Sequence, residues 1–500
     1  MIVHEFLTNS AKAFPQKVAV VHDNIRITYA ELHYLSDAFA AILLKEGAQK
    51  GDRIILFLSN SIEYLIAYFG VLKTGAAIVA LDPKLVAREF LNAYRDCMPR
   101  AVITDDKNFQ AMQKIMAREK DDVLLLSIDR KNLSLQDTSF DCPACNENDL
   151  AMIIYTSGTT GKPKGVMLSH LNLSANADSI ITYLHLTEHD KIMVVLPFFY
   201  SYGNSLLTTH IKAGGTLVIN NQFLFPNIVL EEMIAEEVTG FAGVPSSFAI
   251  LMNKSSVRKC RFPKLRYITQ AGGAMPPKMI EDFLQILPDV KFYVMYGQTE
   301  ASARLTYLEP QYLKEKIGSV GKAIPGVELV VINKAGNPVM PGETGETGEI
   351  CAKGKNIMLG YWNSPDETAL TLRDGWLYTG DLARIDEDGF IYIIDRKKDM
   401  IKSGANRISP LEIEHIVMQL PGVRECAAVG IEDELLGEAI HLFIVADGIR
   451  LEKNVIFLYC KKNLASYKLP KKIEFVAELP KTASGKIKRQ ALKGAKLPDH

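Results

Sequence analysis

The 500-residue chain is 48% hydrophobic and 23% charged, an ordinary globular composition, and it is too long for one compact core, so at least two domains are expected. Its 57 Lys and Arg residues offset 58 Asp and Glu, and the net charge of -1 gives no electrostatic case for a nucleic-acid or anionic-membrane partner. Seven cysteines at irregular spacing are not a disulfide framework, no apolar run approaches a membrane span, and Met1 to Pro15 lacks a signal-peptide pattern, so a cytoplasmic protein is expected.

Residues 54–58 form a continuous apolar run, as a strand buried on both faces does. Ser59 or Asn60 is expected to cap the following helix, whose apolar residues Ile62, Leu65, Ile66 and Phe69 recur at helical spacing, and Gly75 stops it. Residues 77–81 are the next strand, closed by a turn at Asp82-Pro83. The unit implies parallel strands joined by a right-handed crossover. Further strands are expected at 150–154, 191–196, 265–269 and 291–296. Three of them run into loops rich in Gly and hydroxyl residues, and ligands of open α/β sheets bind beyond such strand ends, so these loops are expected to converge on one site.

Beyond about residue 325 short strands alternate with turns, at 328–332, 349–352 and 376–382, and the turn at Asp386-Glu387-Asp388-Gly389 reads as a hairpin. The charge cluster Asp395 to Asp399 marks a domain boundary before a last stretch of about 100 residues. The expected fold is therefore α/β: a large N-terminal domain, 1–397, of α/β sheet subdomains with a small β-rich subdomain, followed by a small α+β C-terminal domain, 398–500. Cys142 and Cys145 form a lone CxxC with no second ligand pair to complete a zinc site, which reads as an incidental loop pair.

The strongest chemical signal follows the strand at 150–154. Tyr155-Thr156-Ser157-Gly158-Thr159-Thr160-Gly161-Lys162-Pro163-Lys164-Gly165 packs four aliphatic hydroxyls, three glycines and two lysines into one loop. Glycines let the backbone approach a ligand, successive N–H groups form an anion-binding concavity, and lysines add positive charge, so a polyphosphate is the expected guest. The spacing is not that of a Walker A loop, because Gly161 and Gly165 are too close.

This segment resembles the phosphate-binding loop of the adenylate-forming superfamily, which includes acyl-CoA synthetases, peptide-synthetase adenylation domains and beetle luciferases. The resemblance continues over nearly the whole chain and in the same order. Thr28 to Leu32, and Lys73 to Ala77 with Leu81 to Pro83, resemble two early motifs that support the fold rather than the chemistry. Ala271-Gly272-Gly273-Ala274 resembles the strand-end segment whose backbone holds adenine. Tyr296-Gly297-Gln298-Thr299-Glu300 resembles the motif contacting AMP and magnesium. The resemblance implies that Tyr296 stacks on the purine, Thr299 donates to the α-phosphate and Glu300 ligates Mg²⁺, a hard cation that prefers oxygen. Asp381 in Tyr378-Thr379-Gly380-Asp381 matches the carboxylate that accepts from both ribose hydroxyls, and Arg396 the arginine that reaches ribose or phosphate. Lys398 falls at the hinge between two active-site arrangements of a mobile C-terminal domain. Lys486, within residues 481–489, matches the lysine that stabilises the adenylation transition state.

The segment Leu196 to Gly203 matches the acid-pocket motif, with Tyr200 at a His or aromatic position. Ser201 stands where amino-acid-activating members carry Asp, which argues against an α-amino acid substrate. Arg304 is expected to line the same pocket or to form a structural ion pair, with Tyr202, Tyr307 and Phe241 as candidate aromatic walls. Gly404, in residues 402–410, matches the thiol tunnel, and that segment mixes features of CoA ligases with those of carrier-loading enzymes. The resemblance thus implies an AMP-forming acid–thiol ligase using ATP and Mg²⁺. It joins a small carboxylic acid to CoA or to the phosphopantetheine of a separate carrier protein. A luciferase-like oxygenase and a non-catalytic nucleotide-binding homologue are the alternatives, and the intact Glu300, Asp381 and Lys486 speak against the second.

Overall fold

The computed structural model describes residues 1–119, 123–133, 142–156, 163–343, 346–396, 399–403, 406–433, 437–447, 451–464, 466–482 and 487–493. Two sheets dominate the N-terminal three quarters. The seven-stranded sheet runs in the order Gly360–Tyr361, Lys164–Ser169, Leu150–Thr156, Ala77–Ala80, Arg53–Phe57, Ala101–Thr104, Leu124–Ser127. The nine-stranded sheet carries Lys191–Val194, Gly240–Gly243, Tyr267–Gln270 and Lys291–Tyr296 as parallel neighbours, continued by the antiparallel Thr306–Leu308 and Lys322–Ala323. The strands expected from sequence are thus divided between two sheets. Strand Lys191–Val194 stops short of Leu196.

Alternation across each strand sets the packing. Ile54, Ile78 and Met152 of one sheet share a core with Ile192 and Tyr293 of the other. Met193, Phe241, Phe248 and Phe283 form a second core on the opposite face of the nine-stranded sheet. The strand–helix–strand unit is as expected, with Ile54 beside Ile78 in parallel register and the helix Ile62–Lys73 between them. Its cap is Ser61, which accepts from the Tyr64 N–H, not Ser59 or Asn60. Asn60 is occupied elsewhere: its side chain donates to the Leu196 carbonyl and accepts from the Phe198 N–H, tying this helix to the Leu196–Gly203 segment.

That segment opens the helix Ser201–Ala213, which is locked onto strand Tyr267–Gln270. Tyr202 Oη lies 3.0 Å from the Thr269 carbonyl, and His210 Nε2 lies 2.9 Å from Tyr267 Oη. Burial lowers the His210 pKa to about 4, so the ring is neutral, with Nδ1 donating to the Leu206 carbonyl and Nε2 accepting from Tyr267. Gly203 is required here, since a Cβ would sit 1.9 Å from the Pro197 carbonyl oxygen.

A five-stranded antiparallel sheet follows, built on Gly348–Gly354 and Trp376–Ile385, and the expected hairpin joins Trp376–Ile385 to Ile391–Arg396. The last sheet, with Val423–Asp433 and Gly437–Ala446 at its centre, has cores of its own drawn only from residues 401–492. Among the described residues no helix is long and apolar enough to cross a membrane. Cys142 and Cys145 are free thiols, and no described group of three or more His, Cys, Asp or Glu residues is arranged to hold a metal.

Lys73 bears out the structural reading of its motif. It is 3% exposed and reaches Asp37 at 2.6 Å, Ser36 Oγ at 2.7 Å and His33 Nδ1 at 3.0 Å. Burial lowers its pKa, and Asp37 opposes that shift. Asp37→Ala leaves the ammonium without its anion. Because Asp37 is itself 24% exposed, the loss is expected near the lower end of the roughly 3–5 kcal/mol of a broken buried pair. Thermal denaturation should show a midpoint several degrees lower, largely recovered by Asp37→Leu with Lys73→Met; an unchanged midpoint would show that Ser36 and His33 suffice.

Candidate active site

The geometry turns on one tight reversal. Strand Lys291–Tyr296 doubles back into Thr306–Leu308, with Tyr296 opposite Thr306. The connecting residues close on themselves: Ala301 and Ala303 N–H groups donate to the Gln298 carbonyl, and Leu305 N–H donates to the Tyr296 carbonyl. Ser302 and Ala303 take φ of +54° and +103°, a region that residues with a Cβ rarely occupy and that costs about 1–3 kcal/mol. A Cβ on Gly297 would lie 2.1 Å from the Ala303 carbonyl oxygen. Strain of this kind persists only where the surroundings impose it.

The turn distributes its side chains toward three neighbours. The Thr299 hydroxyl lies 3.3 Å from Ser201 Oγ, at the start of the helix Ser201–Ala213. Glu300 accepts at Oε1 from the Tyr361 hydroxyl, 2.8 Å away, and its carbonyl accepts from the Met358 N–H. Tyr361 pairs with Val166, so Glu300 is tied to the strand that leaves the phosphate-loop motif. Lys164, on that strand, lies 5.1 Å from the Tyr361 ring centroid and pairs with Glu367. Burial, with Glu300 alongside, raises the Tyr361 pKa, so the phenol stays a donor.

Thr156 ends the strand Leu150–Thr156 opposite Lys164, closing the base of the loop; Ser157, Gly158, Thr159, Thr160, Gly161 and Lys162 lie outside the described residues. Gly272, Gly273 and Ala274 stand exposed just beyond strand Tyr267–Gln270, shaped by Gln270 Nε2 donating to the Gly273 carbonyl, with Val244 and Pro245 alongside Gly272 and Gly273. They give a shelf of accessible backbone.

Tyr296 is buried and donates to Asp381 Oδ2 at 2.6 Å. Asp381 is buried in strand Trp376–Ile385, opposite Arg396 in the ladder; the Arg396 side chain lies outside the described part. Three sheets therefore meet here, one bringing Thr299 and Glu300, one the phosphate loop and one Asp381. Tyr361 is the residue that motif reading missed. It sits 61 positions after Glu300, and only the pairing of Gly360–Tyr361 with the loop's exit strand brings the two together.

The acid-pocket motif is adjacent. Tyr200 is half-buried, and burial with Asp82 nearby pushes its phenol up to about 12. Arg304 is neither at the surface nor in an ion pair among the described residues: it is buried over the ring of Tyr202. Tyr307 stacks on Tyr183, and Phe241 belongs to the second core rather than to this wall. Lys398, Gly404 and Lys486 lie outside the described residues. The ends of the Lys486 segment are described, with Lys481 paired to Ile487 and the Lys488 N–H donating to the Pro480 carbonyl. Asp395, in strand Ile391–Arg396, accepts from the hydroxyl of Ser409, 2.8 Å away, at the start of the helix Pro410–Val417.

Gly297→Ala is expected to destabilise the protein by at least about 1–3 kcal/mol, the range for an overpacked site, because the obstructing atom is backbone. Activity should fall with it, since Thr299 and Glu300 ride on the turn. A thermal midpoint equal to that of the parent would show that the turn relaxes freely.

The AMP-binding enzyme family matches residues 7–362, and the AMP-binding enzyme C-terminal domain matches 412–486. A long-chain-fatty-acid–CoA ligase of Salmonella typhimurium is 34% identical, aligned over 98% of this chain and 93% of its own length. A feruloyl-CoA synthase of Amycolatopsis is 33% identical over 95% of each chain. The o-succinylbenzoate CoA synthetase of Bacillus subtilis, solved with its acyl-adenylate intermediate, superposes with a TM-score of 0.88 at 30% identity over 99% of both chains. The same enzyme solved with ATP and a magnesium ion gives 0.86. The chain belongs to the AMP-binding enzyme family, the adenylate-forming ligases.

Proposed function

We propose that the protein is an AMP-forming acid–CoA ligase whose active site lies where the three sheets meet. The observation that carries this reading is the Gly297–Leu305 turn, which sets Thr299 against Ser201 of the acid-pocket helix and Glu300 against the hairpin of the phosphate loop. The kinship with acid–CoA ligases supports it, as does the relative captured with an acyl-adenylate.

The substrate carboxylate oxygen attacks the α-phosphorus of ATP, the bond to the bridging oxygen of the β-phosphate breaks, and pyrophosphate leaves. The CoA thiol, losing its proton, then attacks the acyl carbon and AMP departs with the acyl oxygen. The first step brings anion to anion, so donors fixed in advance lower its barrier. Thr299 donates to the α-phosphate. The loop 156–162 cradles the β- and γ-phosphates, Gly272 to Ala274 hold adenine, and Asp381, oriented by Tyr296, accepts from the ribose hydroxyls. Arg396 adds a contact to the same ribose or phosphate. Glu300 fits a single-carboxylate role toward Mg²⁺, because one oxygen is steadied by Tyr361, and phosphate oxygens and water are the remaining ligands such a cation ordinarily takes. Held there, Mg²⁺ would neutralise phosphate charge.

Lys486 reaches the site from the C-terminal domain, 398–500. Lys398 at its boundary with 1–397 is the hinge for the second step, when Gly404 admits the pantetheine thiol. Tyr200 and Ser201 line the acid pocket with Arg304. The free thiols support a reducing, cytoplasmic setting.

Acid-dependent exchange of pyrophosphate into ATP tests the first step. Across a panel of carboxylic acids the parent should show exchange with a defined class, and Lys486→Ala should reduce it by about 10²–10³, as loss of one preorganised donor does. Folded, ATP-binding protein that exchanges with no acid would contradict the reading. Tyr361→Phe should raise the apparent Mg²⁺ requirement about 10-fold or more with little change in KM for the acid; an unaltered Mg²⁺ titration would remove Tyr361 from the account.

A further inference from the structure

Arg304 holds a positive charge that its surroundings leave unbalanced. The side chain is 2% exposed. Its guanidinium carbon lies 3.9 Å from the centroid of the Tyr202 ring. Nη1 donates to the neighbouring Ala303 carbonyl at 3.2 Å, Nη2 reaches Ser205 Oγ at only 3.4 Å, and the buried Nε has no partner. Among the described residues no carboxylate lies within ion-pair distance of it. The other buried cation among the described residues, Lys73, is matched by Asp37, and even the partly buried Arg489 and Arg266 are matched, by Glu414 and Asp190. A guanidinium taken out of water without an anion is strongly disfavoured, and an aromatic face, two long hydrogen bonds and the neighbouring Tyr183 hydroxyl offset only part of that.

The position of this charge is specific. Ser201, facing Thr299, and Ser205, facing Arg304, are one turn apart on the helix Ser201–Ala213. One turn is about 5.4 Å. The guanidinium therefore stands roughly one helical turn further along this helix than the Ser201–Thr299 contact, where the proposed function puts the meeting of substrate carboxylate and α-phosphate. An alkyl chain laid along that turn would meet an unpaired cation. A second anionic group there would find a planar fork with a free donor, the geometry arginine uses to bind a carboxylate.

We propose that Arg304 selects an acid carrying a second anionic group, so that the substrate is a short or aromatic dicarboxylate activated at one end and held by Arg304 at the other. This rests on the adenylation reading above. Two carboxylates spaced by roughly one helical turn, about 5–6 Å, are the expected dimension.

Pyrophosphate exchange with matched pairs tests it: butanoate against succinate, pentanoate against glutarate, hexanoate against adipate, and benzoate against phthalate and isophthalate. The parent should favour at least one diacid over its monoacid partner by 10-fold or more in kcat/KM. In Arg304→Met that ratio should fall to near one, chiefly through a higher KM for the diacid, and Arg304→Lys should recover part of it. Equal or better use of the monoacids by the parent would overturn the proposal and leave adenylation standing. So would a preference that survives in folded Arg304→Met. If Arg304→Met does not fold, the parent's ratios and those of Ser205→Ala decide. Exchange with no acid of either kind would instead strike the adenylation reading itself and this inference with it.

Discussion

The reversal between Tyr296 and Thr306 is so tight that Gly297 has no room for a Cβ and Ser302 and Ala303 are driven to positive φ. The parallel strand before it is fixed by its neighbours, and the antiparallel strand after it by the same edge, so the turn has little freedom to relax. Its side chains must then leave in different directions within a few residues. Thr299 faces Ser201 at the start of the helix Ser201–Ala213, Glu300 faces Tyr361, and Arg304 faces Ser205, one turn further along the same helix. One strained loop thereby sets the relative positions of Thr299, Glu300 and Arg304.

Rigidity around that loop comes from hydrogen bonds that cross element and sheet boundaries. Tyr361 links Glu300 to the second sheet and Tyr296 links it to Asp381 in the third. Asn60 ties the first crossover helix to Leu196 and Phe198, and Tyr202 and His210 lock the helix Ser201–Ala213 onto the strand Tyr267–Gln270. Each bond joins groups that are otherwise far apart in the chain, which is how a site assembled from loops is held to catalytic tolerance. The C-terminal sheet has cores of its own.

Much of this was legible in the chain. Strand Lys291–Tyr296 and the crossover unit were visible because strands buried on both faces read as continuous apolar runs. The cap of helix Ile62–Lys73 was misplaced because local propensity allows Ser59, Asn60 or Ser61, and the choice is made by Asn60's tertiary bonds to Leu196 and Phe198. Division of the strands between two sheets depends on long-range pairing that periodicity does not encode. Tyr361 was invisible for the same reason. Arg304 was placed near the pocket by its spacing from Glu300, but its lack of a partner carboxylate is a property of packing, and no motif reports it.

The central claim is that acid and ATP react here before any thiol takes part. Rapid quench of the parent enzyme with ATP, Mg²⁺ and its acid, without CoA, tests this most directly. The account predicts a stoichiometric burst of pyrophosphate and an enzyme-bound acyl-adenylate of the expected mass, discharged to acyl-CoA and AMP when CoA is added. Pyrophosphate released only in the presence of CoA with no acyl-adenylate detected, or formation of ADP and phosphate instead, would contradict it.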